Sequence, residues 1–138
     1  MSKLAELFNQ KSKEYELIYK DLNSNKLLNQ EKVERLKISE QIIIDHVCLS
    51  EENSILDIGC GVGNLLMNLK KKGVKANMLG VDISSKMIDK ANKKLKNSGY
   101  KDLVFTCGDM KDLSFKADVV VSLGVSGYQH NQKEFLYK

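Results

Sequence analysis

The run Ser54-Ile-Leu-Asp-Ile-Gly-Cys-Gly-Val-Gly-Asn64 constrains this chain more than any other part of it. Ile55 to Ile58 reads as a short apolar strand that carries an acid near its tip. Gly59, Gly61 and Gly63 alternate after it, and a helical pattern begins at Asn64. Glycines at alternating positions let the backbone turn sharply and approach a ligand closely. In open α/β sheets that approach happens at the carboxyl ends of buried parallel strands. The segment therefore predicts a strand, a binding loop and a helix in succession.

The flanking sequence supplies the remaining elements. Between Lys3 and Leu22, residues Leu4, Leu7, Phe8, Tyr15, Ile18, Tyr19 and Leu22 recur at spacings of three and four, which predicts a helix. Asn23-Ser24-Asn25 breaks it. A second helix carries Val33, Leu36, Ile42, Ile43 and Val47 and ends near Leu49. Four strands are expected at Ile55 to Ile58, Met78 to Asp82, Leu103 to Cys107 and Asp118 to Leu123. Helices separate them, one from Asn64 to Lys72, stopped by Gly73, and one capped by Ser84 or Ser85 and ended by Gly99. The second has Met87, Ile88, Ala91 and Leu95 inward. A last helix is expected near Gln132, with Phe135 and Leu136 inward. Strands that alternate with helices imply a parallel sheet with helices on both faces and right-handed crossovers. The expected organisation is one domain, residues 1–138, with a helical cap over 1–50 and an α/β core over 51–138.

Composition excludes several classes. Net charge is +4, from 22 basic and 18 acidic side chains, too slight to favour a nucleic-acid partner. Lys70-Lys71-Lys72 and Lys90, Lys93, Lys94 and Lys96 read as solvated helix faces. Cys48, Cys60 and Cys107 are odd in number and lack disulfide-like spacing, which fits a reducing compartment. No stretch resembles a signal peptide or a bilayer span, so a cytoplasmic location without a membrane partner is expected. No metal site is read from the chain.

Asp57-Ile58-Gly59-Cys60-Gly61-Val62-Gly63 resembles the first motif of class I S-adenosylmethionine-dependent methyltransferases. A bare G-x-G-x-G is shared with nicotinamide-binding folds. The dinucleotide fingerprint, however, needs Gly or Ala three residues after its second glycine, where this chain has Asn64. Asp57 would repel a pyrophosphate, whereas S-adenosylmethionine carries a sulfonium and an ammonium and no phosphate. Val81-Asp82-Ile83-Ser84, with Met87-Ile88, resembles the second motif. Asp109-Met110, after Gly108, stands where the family places an acid for the adenine amino group and a side chain near the ring.

The resemblance covers residues 54 to about 127. It implies a three-layer, Rossmann-like, doubly wound parallel sheet, with four strands present in the order 3-2-1-4 and two N-terminal helices. It implies S-adenosyl-L-methionine as cofactor and methyl transfer to a small-molecule or other O, N or C acceptor. The implied cofactor residues are Asp57, Gly59, Cys60, Gly61, Asp82 on the ribose hydroxyls, Ile83, Asp109, Met110 and Leu123. Tyr15 joins them because Phe8 to Tyr15 resembles an N-terminal Phe…Tyr pattern of related enzymes. It reads equally as a core aromatic.

On the acceptor side, Ser122-Leu123-Gly124-Val125 stands where members that methylate exocyclic amino groups of nucleobases, or amide nitrogens, carry Asn or Asp, Pro-Pro and an aromatic. This chain has no proline, which speaks against those substrates and against a Pro-Cys nucleophile. Tyr128 and His130 are the catalytic candidates, His130 as a general base with an ordinary pKa of ~6.5. A surface histidine is the competing reading. Asp118 lies at the amino end of its strand and is expected to be structural.

The family's full sheet has seven strands, and four are read here. The apolar run Val119 to Leu123 suits a strand buried on both faces, yet with four strands it is expected to present an open edge. Three expectations follow: a fragment of a longer protein, a homodimer paired through that edge, or a non-catalytic half-domain that binds cofactor or dimerises. A nicotinamide-dependent oxidoreductase is the remaining alternative.

Overall fold

The computed structural model describes residues 2–20, 27–46 and 50–123. Two helices, α1 (Lys3–Lys20) and α2 (Leu27–His46), precede β1 (Ser54–Ile58), α3 (Asn64–Lys71), β2 (Asn77–Asp82), α4 (Ser85–Ser98) and β3 (Leu103–Cys107). A single 3-10 turn, Met110–Asp112, leads to β4 (Val119–Val121). The strands are all parallel, in the order β3-β2-β1-β4, a Rossmann-like α/β arrangement. Successive strands step outward from β1 to β3, and β4 then returns to the other side of β1. This reversal opens a crevice at the carboxyl ends of β1 and its neighbours. The helix expected near Gln132 and the end of the second helix near Leu49 lie outside the described residues.

Register and period-two alternation decide which residues form the core. Ile55 stands opposite Met78 and Val119, and Met78 opposite Leu103. This row packs with Leu65, Leu66 and Leu69 of α3, Ile88 and Ala91 of α4, and Leu36 and Ile43 of α2. Both crossovers, β1-α3-β2 and β2-α4-β3, travel in one direction, so right-handedness places α3 and α4 on the same face. The return from β3 to β4 must cross the other face, and residues 108–118 do so with one 3-10 turn instead of a helix. The next row therefore meets solvent at its ends: Val104 is 56% and Val120 57% exposed. This corrects the expectation that the fourth strand is buried on both faces. It is also shorter than expected, three residues in place of five or six.

The N-terminal helices correct two further expectations. Leu36, Glu40 and Ile43, at spacings of four and three, form the buried stripe among the described side chains of α2, and Ile42 is exposed because one residue along a helix rotates it by about 100°. Among the described side chains of α1 the buried ones are Ala5, Asn9 and Ser12, which leaves Leu7 on the opposite side, exposed. A small, polar stripe is stable there because the Asn9 side-chain oxygen accepts from Ser84 Oγ and from the Lys86 amide, 3.2 Å away. Ser84 in turn caps α4 by accepting from the Met87 amide. The first helix is thus tied to the start of α4 by hydrogen bonds.

Phe105 locks β2 to the loop after β1. A Cβ on Gly80 would stand 2.6 Å from Phe105 Cδ1 and 2.9 Å from Cys60 Sγ; one on Gly63 would stand 2.6 Å from Phe105 Cζ. The ring is buried and fills the space that the two glycines leave. We expect Gly80→Ala to destabilise the fold by ~1–3 kcal/mol through overpacking. Urea denaturation of the single variants and of Gly80→Ala/Phe105→Leu should reveal coupling, with the smaller side chain recovering part of the loss. Strictly additive effects would contradict this packing.

Candidate functional site

The site begins with two amides on one acceptor. Gly59 N–H and Cys60 N–H both donate to the Val81 carbonyl, at 2.7 and 3.0 Å. Gly61 N–H donates to Asp82 Oδ2 and Ser84 N–H to Asp82 Oδ1, each at 2.9 Å. The loop can make this turn because Gly59, Gly61 and Gly63 take φ of +74°, +56° and +83°, a region that side-chain-bearing residues enter at a cost. It is strapped along its length to the end of β2.

A cavity opens beside this strap. Asp57, Gly59, Cys60 and Gly61 line it from β1 and the loop, Asp82 and Ile83 from the end of β2, Asp109 and Met110 from beyond β3, and Leu123 from beyond β4. These are the cofactor residues implied by the sequence, Tyr15 excepted. Tyr15 lies on α1, but its side chain falls outside the described part, as do Tyr128 and His130 altogether.

Several lining residues were not read from the sequence. Leu4 and Phe8 of α1 and Leu36 of α2 close the cavity from above, and Met87 of α4 and Asn64 border it. Lys94, expected on a solvated face, instead donates to the Val62 carbonyl at 3.1 Å and to Asn64 Oδ1 at 3.0 Å, bracing the loop from α4. The signal was present: Lys94 follows Met87 by seven residues and Ala91 by three, on the helix's inner stripe.

Burial dominates the electrostatics. Asp57 is 3% exposed, and desolvation, reinforced by the nearby Asp82 carboxylate, pushes its carboxyl up to about 7. Asp82 is also raised by burial, against the opposing pull of its bonds from the Ser84 and Gly61 amides. The Cys60 thiol is pushed well above its ordinary value by burial and by the two acids. It is a packing group, not a thiolate nucleophile. Cys107 is exposed, with its thiol donating to the Ile83 carbonyl at 3.6 Å. At the opposite end of the sheet Asp118 accepts from the Ser54 amide at 2.8 Å, which holds its carboxyl low and ties β4 to β1. That is the structural role expected of it.

The described residues that line the cavity include three carboxylates and no lysine, arginine or histidine. Such a lining favours cations and hydroxyl donors and disfavours phosphate. No cluster of His, Cys, Asp and Glu able to hold a metal occurs among the described residues, and no helix among them is long and apolar enough to cross a membrane.

A family profile described as a methyltransferase domain matches residues 55–137, more than half of the chain. The chain belongs to the methyltransferase-domain family. It is 43% identical over 54 residues to a tRNA (guanine-N(7)-)-methyltransferase of Prochlorococcus marinus, covering 39% of this chain and 26% of that protein. It is 40% identical over 75 residues to the malonyl-[acyl-carrier protein] O-methyltransferase of Priestia megaterium, covering 53% of this chain and 26% of that protein. These matches thus span about a quarter of the length of either curated relative. In fold it is similar to the magnesium protoporphyrin IX methyltransferase of Synechocystis PCC 6803, solved with bound S-adenosylmethionine. That comparison has a TM-score of 0.74 at 24% identity, over 95% of this chain and 64% of that one.

In this domain the buried acid is a stability liability. An unfolded aspartate titrates near ~3.9, and folded Asp57 near about 7. Between those values the folded state holds a proton that the unfolded state lacks, so stability falls as pH rises through that window. We expect Asp57→Asn to melt higher than wild type at pH 8, by about 4 °C or more. The two should converge near pH 4. Thermal melts across that range check this, and a pH-independent difference would refute it.

Proposed function

We propose that the crevice binds S-adenosyl-L-methionine and that the domain serves methyl transfer from it to a small-molecule or other O, N or C acceptor. The observation that carries this reading is the convergence of Asp57, Asp82 and Asp109 on one glycine-lined cavity with no cationic side chain among its described lining residues. Family membership supports it.

The residues present fit the group chemically. Each Asp82 oxygen already accepts one amide bond and keeps a second lone pair, enough for the two hydroxyls of a ribose. Asp57 supplies negative charge toward an ammonium or sulfonium. The loop backbone of Gly59 and Gly61 permits close approach, and Cys60, Ile83, Met110 and Leu123 offer apolar walls. Asp109 uses one oxygen on the Lys111 amide, at 3.0 Å, and its other oxygen suits an adenine amino group. When bound, the cofactor supplies a methyl group on a positively charged sulfur, already activated for displacement. The chain's contribution is to position and to exclude water, which in favourable cases is worth ~7–11 kcal/mol of barrier. Tyr128 and His130 follow β4 in sequence and are proposed for the acceptor side, His130 as the base.

The named activities of these proteins, on a tRNA guanine, malonyl-[acyl-carrier protein] and magnesium protoporphyrin IX, support a common donor more than a common acceptor. We propose the single-domain organisation read from the sequence, with the edge of β4, which pairs with β1 alone among the described strands, as the surface a second copy would extend. Asp82→Ala should weaken S-adenosylmethionine at least tenfold by isothermal titration while circular dichroism remains native. Undiminished affinity, or binding of a nicotinamide dinucleotide in its place, would overturn the assignment.

A further inference from the structure

The cavity holds a carboxyl that meets no cationic side chain among the described lining residues. Asp57 is buried near the tip of β1, and the described groups that share its cavity come from several elements. β2 presents the Asp82 carboxylate, the loop presents the Cys60 thiol, and the segment after β3 presents Asp109. Among the described side chains, α1 and α2 present Leu4, Phe8 and Leu36, and the end of β4 presents Leu123. From α3 and α4 come Leu65, Met87 and Asn64, behind which the Lys94 ammonium is engaged with Val62 and Asn64. Among the described residues that line the cavity, the charged side chains beside Asp57 are thus carboxylates, and Asp57 itself is 3% exposed.

We propose that the crevice is a proton-coupled cation site, in which a cationic ligand arriving beside Asp57 displaces the proton that this carboxyl otherwise holds. The balance is simple: the O–H bond of the Asp57 carboxyl breaks, its proton passes to buffer, and the carboxylate left behind is neutralised by the ligand's positive charge. Binding therefore releases a proton and tightens as pH rises toward neutrality. Asp82 is less suited to this exchange, because two amide N–H groups already favour its charged form. The inference rests on the cofactor reading above and adds to it a dependence on pH.

The sizes follow from the value of about 7 at Asp57. With the bound carboxyl ionised throughout, about 0.9 proton leaves per ligand at pH 6 and about 0.5 at pH 7, and affinity is about fivefold weaker at pH 6 than at pH 7. An α-amino group titrates near ~7.7–8.0, so the ligand's own ammonium stays protonated over this range and the released proton comes from the protein.

The test is calorimetric titration of the chain with S-adenosylmethionine at pH 6, in buffers of differing ionisation enthalpy, joined to a carboxyl carbon-13 NMR titration of Asp57 with and without ligand. The expected result is release of nearly one proton, with the Asp57 midpoint falling from about 7 to below the range examined. Binding without proton release, or an Asp57 midpoint that does not move, overturns the coupling and leaves the cofactor reading standing. No binding at any pH overturns both. Asp57→Asn, where it still binds, should release no proton; persistent release would transfer the role to Asp82 and overturn the proposal for Asp57.

Discussion

The site depends on one carbonyl. Val81 at the end of β2 accepts from two successive amides of the loop that leaves β1. Asp82, the next residue, accepts from a third amide two positions beyond Gly59. A loop held this way cannot swing with the solvent. Gly59 and Gly61 line the crevice, and α3 begins where the loop ends. Asp82 therefore does two things at once: it fixes the loop that forms one wall of the cavity, and its carboxylate forms part of the next wall. Phe105 reinforces the strap from the core side, since the two glycines it abuts lie one on β2 and one at the end of the loop.

That architecture explains how the domain tolerates acids that are largely buried. A buried carboxylate with no partner is costly. Asp82 meets the cost with amide donors, and Asp57 avoids it by holding a proton near neutral pH. The same arrangement excludes ligands by charge. A pyrophosphate would meet carboxylates where dinucleotide folds offer bare amides. A ligand that is cationic and rich in hydroxyl groups would relieve the burial cost instead. On the reading proposed above, stability and selectivity rest on the same residues.

Much of this was readable from the sequence, and for a physical reason. Strand β1, the loop and the start of α3 are specified by local rules: apolar runs, glycines with positive φ, and a serine cap. The positions of Asp57, Asp82 and Asp109 at successive strand ends follow directly from the strand boundaries. Lys94 and Asn9 were missed because their roles depend on which helix face turns inward, and a long polar side chain on an inner stripe scores as solvent-facing. Leu7 and Ile42 were misplaced for the related reason that an apolar count does not fix the rotation of a helix. Val120 was misjudged because its burial depends on what crosses the second sheet face, here an eleven-residue connection with one 3-10 turn.

The most direct test of the central claim is an amide NMR titration of the chain with S-adenosylmethionine. Large shift changes should concentrate at Asp57 to Asn64, Asp82 to Ser84 and Gly108 to Met110, with Gly61 and Ser84, the two amides on Asp82, among them. Saturable changes that avoid these three segments, or that gather on the exposed face around Val104 and Val120, would contradict the account.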